Sequence, residues 1–97
     1  MALVINGERE VMRLTLGALA ELEESLGEST LIALVERFES NRFSSHDVLA
    51  LVGAGLRGGG SAVTADDLLH AEIEGGPLAA ARAAAELLAR AFVVPET

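Results

Sequence analysis

From Thr15 onward, helix-start and helix-stop signals alternate so closely that no long element fits between them, and the fold they permit is a bundle of short helices. Thr15 caps a first helix running to about Leu26, with Leu19 and Leu22 on one face, Glu21 and Glu24 on the opposite one, and Gly27 closing it. Ser29 or Thr30 starts a second, whose Leu31, Leu34, Val35 and Phe38 recur at the spacing of a buried stripe, and Ser40-Asn41 ends it. Ser44 and Asp47 stand in capping-box spacing ahead of Val48, Leu49, Val52 and Leu56, which predicts a third helix ending at Gly58-Gly59-Gly60. Thr64 and Asp67 repeat the box for a short fourth helix carrying Leu68 and Leu69 and reaching toward Ile73, stopped by Gly75-Gly76. Pro77 suits the first turn of a last helix that extends to about Val93.

Only two runs have strand character, Ala2 to Ile5 and Val11 to Leu16, and Asn6-Gly7 between them is a hairpin turn signal. A two-residue turn sets Ile5 opposite Glu8; a longer loop over 6–9 sets it opposite Glu10. The spacing leaves both registers open. The expected architecture is mainly α: a short N-terminal β-hairpin followed by a compact bundle of about five helices. It forms a single domain over 1–97, with the hairpin in 1–16, the bundle in 17–94 and a tail in 95–97.

The last helix is apolar around most of its girth, since Arg82, Glu86 and Arg90 make one narrow charged stripe amid alanine and leucine. Such a helix is expected at the centre of a bundle. With Leu78, Ala81, Ala85, Leu88 and Phe92 filling the core, Ala80, Ala84, Leu87 and Ala91 are left as a flat second face suited to self-association or to a partner's helix. Leu87 and Ala84, with Leu56 and Arg57 beside the glycine run, are the expected protein-binding residues.

The charge balance narrows the partners. The net charge is −8 and the seven basic residues are scattered arginines, which gives no footprint for nucleic-acid phosphates. No apolar run approaches the roughly 20 residues that cross a bilayer, and no basic leader precedes Met1 to Ile5, so a soluble protein without export is expected. Without cysteine there is no disulfide, thiolate nucleophile or sulfur-ligated metal.

No motif points to catalysis, a cofactor or a metal. Gly53-Ala54-Gly55-Leu56-Arg57-Gly58 has the letters of a dinucleotide fingerprint, but that fingerprint needs a strand before it and a helix after it, and here a helix leads into a loop. Gly53 and Gly55 read instead as places where another helix approaches closely. His46 and His70 lie apart without further ligands, helix capping accounts for Ser44 and Asp47, and the remaining carboxylates read as a solvated acidic face. The chain is therefore expected to be no enzyme and to act by binding another protein.

Three segments carry a resemblance: Leu14-Thr15-Leu16-Gly17-Ala18-Leu19-Ala20-Glu21-Leu22-Glu23, Leu34-Val35-Glu36-Arg37-Phe38, and Gly53-Ala54-Gly55-Leu56-Arg57-Gly58-Gly59-Gly60. With Val63, Asp66, Asp67, Glu74-Gly75-Gly76 and the alanine-rich last helix, they resemble the tail-assembly chaperone-like proteins of phages and gene transfer agents, some of which are labelled tail tube proteins. The resemblance implies a bacterial cytoplasmic protein from a prophage-type tail cluster that keeps the tape-measure protein soluble while the tube forms, with other tail proteins as further partners. A tube-associated structural role is the first alternative it implies. Composition alone would also fit an unrelated helical adaptor that dimerises through its last helix.

Overall fold

The computed structural model describes residues 2–26 and 31–91. The sites read as helix ends at Gly27, Ser29 and Thr30, as well as Phe92, Val93 and the tail over 95–97, lie outside the described residues.

The chain opens with an antiparallel hairpin of β1 (Ala2–Ile5) and β2 (Glu8–Val11), paired Ala2 to Val11 and Ile5 to Glu8. This is the two-residue-turn register. Asn6 and Gly7 both have positive φ, 51° and 80°, which is what a type I′ turn demands and why Asn-Gly stands there. Leu3 and Ile5 alternate inward, and Met12 follows them into the core.

Five helices follow: α1 (Leu16–Leu26), α2 (Leu31–Glu39), α3 (Ser45–Gly58), α4 (Ala65–Leu69) and α5 (Gly76–Ala91). Their caps are those the residue types call for. Thr15 Oγ1 accepts from Ala18 N at 3.1 Å. Both boxes close: Asp47 N donates to Ser44 Oγ at 3.1 Å and Ser44 N to Asp47 Oδ2 at 2.9 Å, with the same exchange between Thr64 and Asp67. At the end of α2, Asn41 has φ 57°, Arg42 N donates to Arg37 O and Asn41 N to Phe38 O, the Schellman pattern with asparagine in glycine's place. Beyond it, Phe43 stacks on Phe38, ring centroids 4.5 Å apart.

The second strand runs over Glu8–Val11 and not over Val11 to Leu16, because the two-residue turn at Asn6-Gly7 starts the pairing at Glu8. Two further expectations are corrected. The centre of the bundle is α3, not the last helix: α3 contacts α1, α4, α5 and β2, and its residues Leu51 to Leu56 are all buried. Small side chains make this possible. A Cβ on Gly55 would lie 2.5 Å from Leu87 Cδ2 and 3.4 Å from Met12 Cβ, and one on Gly58 would run into the carbonyl oxygen of Arg13. Gly53 likewise faces Leu68 of α4. Meanwhile α5 keeps Leu78, Arg82, Ala85, Glu86 and Arg90 exposed.

Secondly, Ile73 does not extend α4. The fourth helix stops at Leu69, and Ile73 forms an antiparallel bridge with Ile5 on the free edge of β1. Asn6 N donates to Glu72 O at 2.7 Å, Glu72 N to Asn6 Oδ1 at 2.9 Å, and Glu74 N to Val4 O at 3.0 Å. The turn asparagine thus has two roles, closing the hairpin and pinning the α4–α5 connection to it.

Because backbone stands against Gly58, Gly58→Ala is expected to destabilise by about 1–3 kcal/mol through overpacking. Gly17→Ala, where the nearest atom to a new Cβ is Thr15 Oγ1 at 3.9 Å, is expected to stabilise by about 0.4–1 kcal/mol. Urea unfolding of the two variants checks the contrast.

Candidate protein-binding groove

The first half of α3 is less completely covered than the second. Val48 and Leu49 stay half-buried while Leu51 to Leu56 are enclosed, and beside them the surface opens into a groove of about 700 Å³. One wall is Phe43, Ser44, Ser45, Val48, Leu49 and Val52 from the entry and first turns of α3. A second wall comes from Leu68 and Leu69 of α4 with Ala71 and Ile73 of the pinned connection, and a third from Gly76 to Leu78, Ala80 and Ala81 of α5. Among the described residues, no charged side chain lines it. Leu69 and Leu78 are 63% and 62% exposed, an arrangement that leaves two large apolar side chains in water within one concave surface.

The α3 wall is fixed by an ion pair. Arg37 of α2 clasps Asp47 in bidentate fashion, Nε to Oδ2 at 2.9 Å and Nη2 to Oδ1 at 3.0 Å, while the same carboxylate caps α3 at Ser44, a groove residue. Burial pushes the Asp47 carboxyl up, but the Arg37 hydrogen bonds, the Ser44 backbone N–H and the Arg37 charge together outweigh it and hold the group below its ordinary value. On the α4 side, the Thr64 backbone N–H and hydroxyl hold the Asp67 carboxyl low.

Residues 1–93 match the family model described as phage tail tube protein, GTA-gp10. The chain belongs to this family. Neither a curated protein nor a solved structure matches it. The family places the protein with those of phage and gene transfer agent tails.

The four residues expected to bind a partner do not share a surface in this tail protein. Leu56, Ala84 and Leu87 are buried in the core, Ala84 completely. Both faces of α5 are apolar, so spacing could not choose between them; the close approach of Leu87 to Gly55 turns Ala80, Ala83, Ala84, Leu87 and Leu88 inward and leaves Leu78 and Ala85 outside. Arg57 is half-buried, donating from Nη1 to Val63 O at 2.9 Å and ion-paired through Nε with Glu21 of α1. It ties the glycine-run loop to two helices.

The GAGLRG segment lies within α3, so its amides are spent on helix bonds and cannot cradle a pyrophosphate. His46 and His70 are both exposed, and His70 Nδ1 donates to Asp66 O at 3.2 Å. Among the described residues no three histidine or carboxylate side chains gather as a metal would need, and no helix is long and apolar enough to cross a membrane.

Losing Arg37 would leave Asp47, only 5% exposed, without its cation. The cost of breaking a fully buried pair is about 3–5 kcal/mol, and with Arg37 28% exposed we expect about 1–3 kcal/mol for Arg37→Ala. The pH dependence follows from the depressed carboxyl. Its stabilisation is present above the unfolded value of 3.8 and is lost as pH falls through the lower folded value, so acid should destabilise the wild type more than Asp47→Asn. Unfolding midpoints recorded across the acid range test the difference.

Proposed function

We propose that the protein is a non-catalytic tail-assembly chaperone that holds the tape-measure protein soluble in the bacterial cytoplasm while the tail tube assembles around it. The observation that carries this reading is the groove, a concave apolar surface with two exposed leucines on an otherwise acidic chain of net charge −8. A tape measure is a long helical chain with apolar stripes, and such stripes aggregate unless covered. A groove among helices receives an amphipathic helix through anchors at i, i+3, i+4 and i+7, and the bound chaperones' shared negative charge keeps the complexes apart.

A tube-associated structural role is the second reading, favoured by the family's own description as a tail tube protein. Against it stands the small extent of sheet. Among the described residues only β1, β2 and the Ile73 bridge pair as strands, whereas a tube ring closes through extensive sheet.

Co-expression with the tape-measure protein of the same tail cluster separates the two. A chaperone raises the soluble fraction of the tape measure, co-purifies with it and is missing from finished particles. Leu69→Glu and Leu78→Glu, which change side chains already in water, are expected to abolish the gain while leaving the circular dichroism of the free protein unchanged. An undiminished gain in both variants would remove the groove from the account, and the protein's presence in purified particles would favour the tube reading.

A further inference from the structure

The hairpin leaves one strand edge without a partner. Glu74 N donates to Val4 O and Asn6 N to Glu72 O, so the groups of Val4 turn away from β2 and toward the connection after α4. Val4 is paired with Arg9. Where one member of an antiparallel pair turns its groups away, so does the other, which sets the N–H and C=O of Arg9 and Val11 along the outer edge of β2. Among the described residues the sheet has two strands, and no hydrogen bond reaches Arg9 or Val11 from outside it. The row continues to Arg13, whose N–H donates to Gly55 O at 2.8 Å, and a Cβ on Gly59 would run into Val11 O. The end of α3 therefore closes the edge past Val11. Three groups stay open: the N–H and C=O of Arg9 and the N–H of Val11.

The register also sets the side chains along this edge. Glu8 and Glu10 stand opposite Ile5 and Leu3 on one face of the hairpin, Arg9 and Val11 opposite Val4 and Ala2 on the other. Glu8, Arg9 and Val11 are exposed, Glu10 is half-buried, and none of the three charges is in an ion pair among the described residues. We propose that this edge takes an extended segment of a partner protein, added antiparallel to β2, in which an acidic residue stands between two basic ones. The acidic residue falls opposite Arg9, the basic ones opposite Glu8 and Glu10, and a β-branched residue opposite Val11 completes the overlap. Backbone bonds to the three open groups hold the segment, and the charge pairs select it. A second copy of this chain is the wrong occupant. Residues opposite each other in such a pair must both turn their groups inward, so Arg9 can face only Arg9 or Val11 of another β2. The first register sets Glu8 against Glu10 twice and the second sets Glu10 against Glu10, and like charges directly opposed destabilise. The same charges thus keep copies apart and admit a strand of complementary pattern.

The test adds two short peptides of one composition to the isotope-labelled full chain and follows amide exchange by NMR. One has the core valine-lysine-glutamate-lysine, the other valine-glutamate-lysine-lysine, so net charge is equal and only the order differs. The first is expected to bind on the order of tenfold more tightly at low salt, with the gap narrowing as salt is added. It should slow exchange of the Arg9 and Val11 amides, which are unprotected before it is added. Arg9→Glu together with Glu10→Lys should exchange the preference. Arg9→Pro, which deletes an N–H that the hairpin itself does not use, should abolish binding, and Leu78→Glu in the groove should leave it unchanged. Equal affinities, failure of both peptides to bind, or an Arg9 amide already protected in the free chain would each overturn the proposal. So would a stable dimer in light scattering that Arg9→Pro dissociates. The groove reading is tested separately, because its readout is the solubility of the tape measure and its variants lie at Leu69 and Leu78.

Discussion

Successive residues of an α-helix are 100° apart, so six in a row can all be buried only where neighbours approach from every direction. Leu51 to Leu56 of α3 are in that position, and the rest of the molecule is arranged around it. The approach depends on what is missing from the side chains. Gly55 admits Leu87 of α5 on one side and Met12 behind the hairpin on another, and Gly53 faces Leu68 of α4. The backbone takes part too: Arg13 N donates to Gly55 O at 2.8 Å, seating the exit of the hairpin on the central helix. With bulky residues at these positions the layers would separate by the width of a methyl group or more, and close packing of this kind does not tolerate such gaps.

The groove is the counterpart of this dense half. Toward its N-terminus α3 changes from small residues to Val48 and Leu49, and its neighbours there are a five-residue helix and a connection that is held elsewhere by its bonds to β1. Neither covers α3 as the hairpin and α5 do further along. The Arg37–Asp47 pair then sets the α3 wall, because the carboxylate that caps the helix also binds α2. Apolar residues left at this surface would promote self-association in a neutral protein. In a chain with −8 net charge, repulsion between copies opposes it.

Much of the fold was legible because it is encoded locally. The Asn6-Gly7 turn, the Thr15 cap, the two capping boxes and Pro77 each act over three or four residues, and each appears where its residue types put it. The features that escaped depend on distant partners. Ile73 gave no alternating pattern of its own and becomes strand-like only because β1 has a free edge beside it. Alanine and leucine on all sides of α5 made it look central, while the run from Leu51 to Leu56 looked like a helix end before a loop; only the close approaches at Gly53 and Gly55 reveal which helix is enclosed. The burial of Leu56, Ala84 and Leu87 was hidden for the same reason, since an apolar residue is equally ready to be core or interface. Leu69 and Leu78 were assigned to helices correctly, but their exposure follows from the packing of three elements that no local signal links.

The most direct test of the groove as the docking face is methyl-resolved NMR of the isotope-labelled protein with the tape-measure protein added. The account predicts shift changes confined to Val48, Leu49, Leu69, Ile73 and Leu78, with Leu16 and Ile32, which are 84% and 71% exposed but lie off the groove, unchanged. Perturbations centred on Leu16 and Ile32, with the groove methyls unmoved, would contradict it.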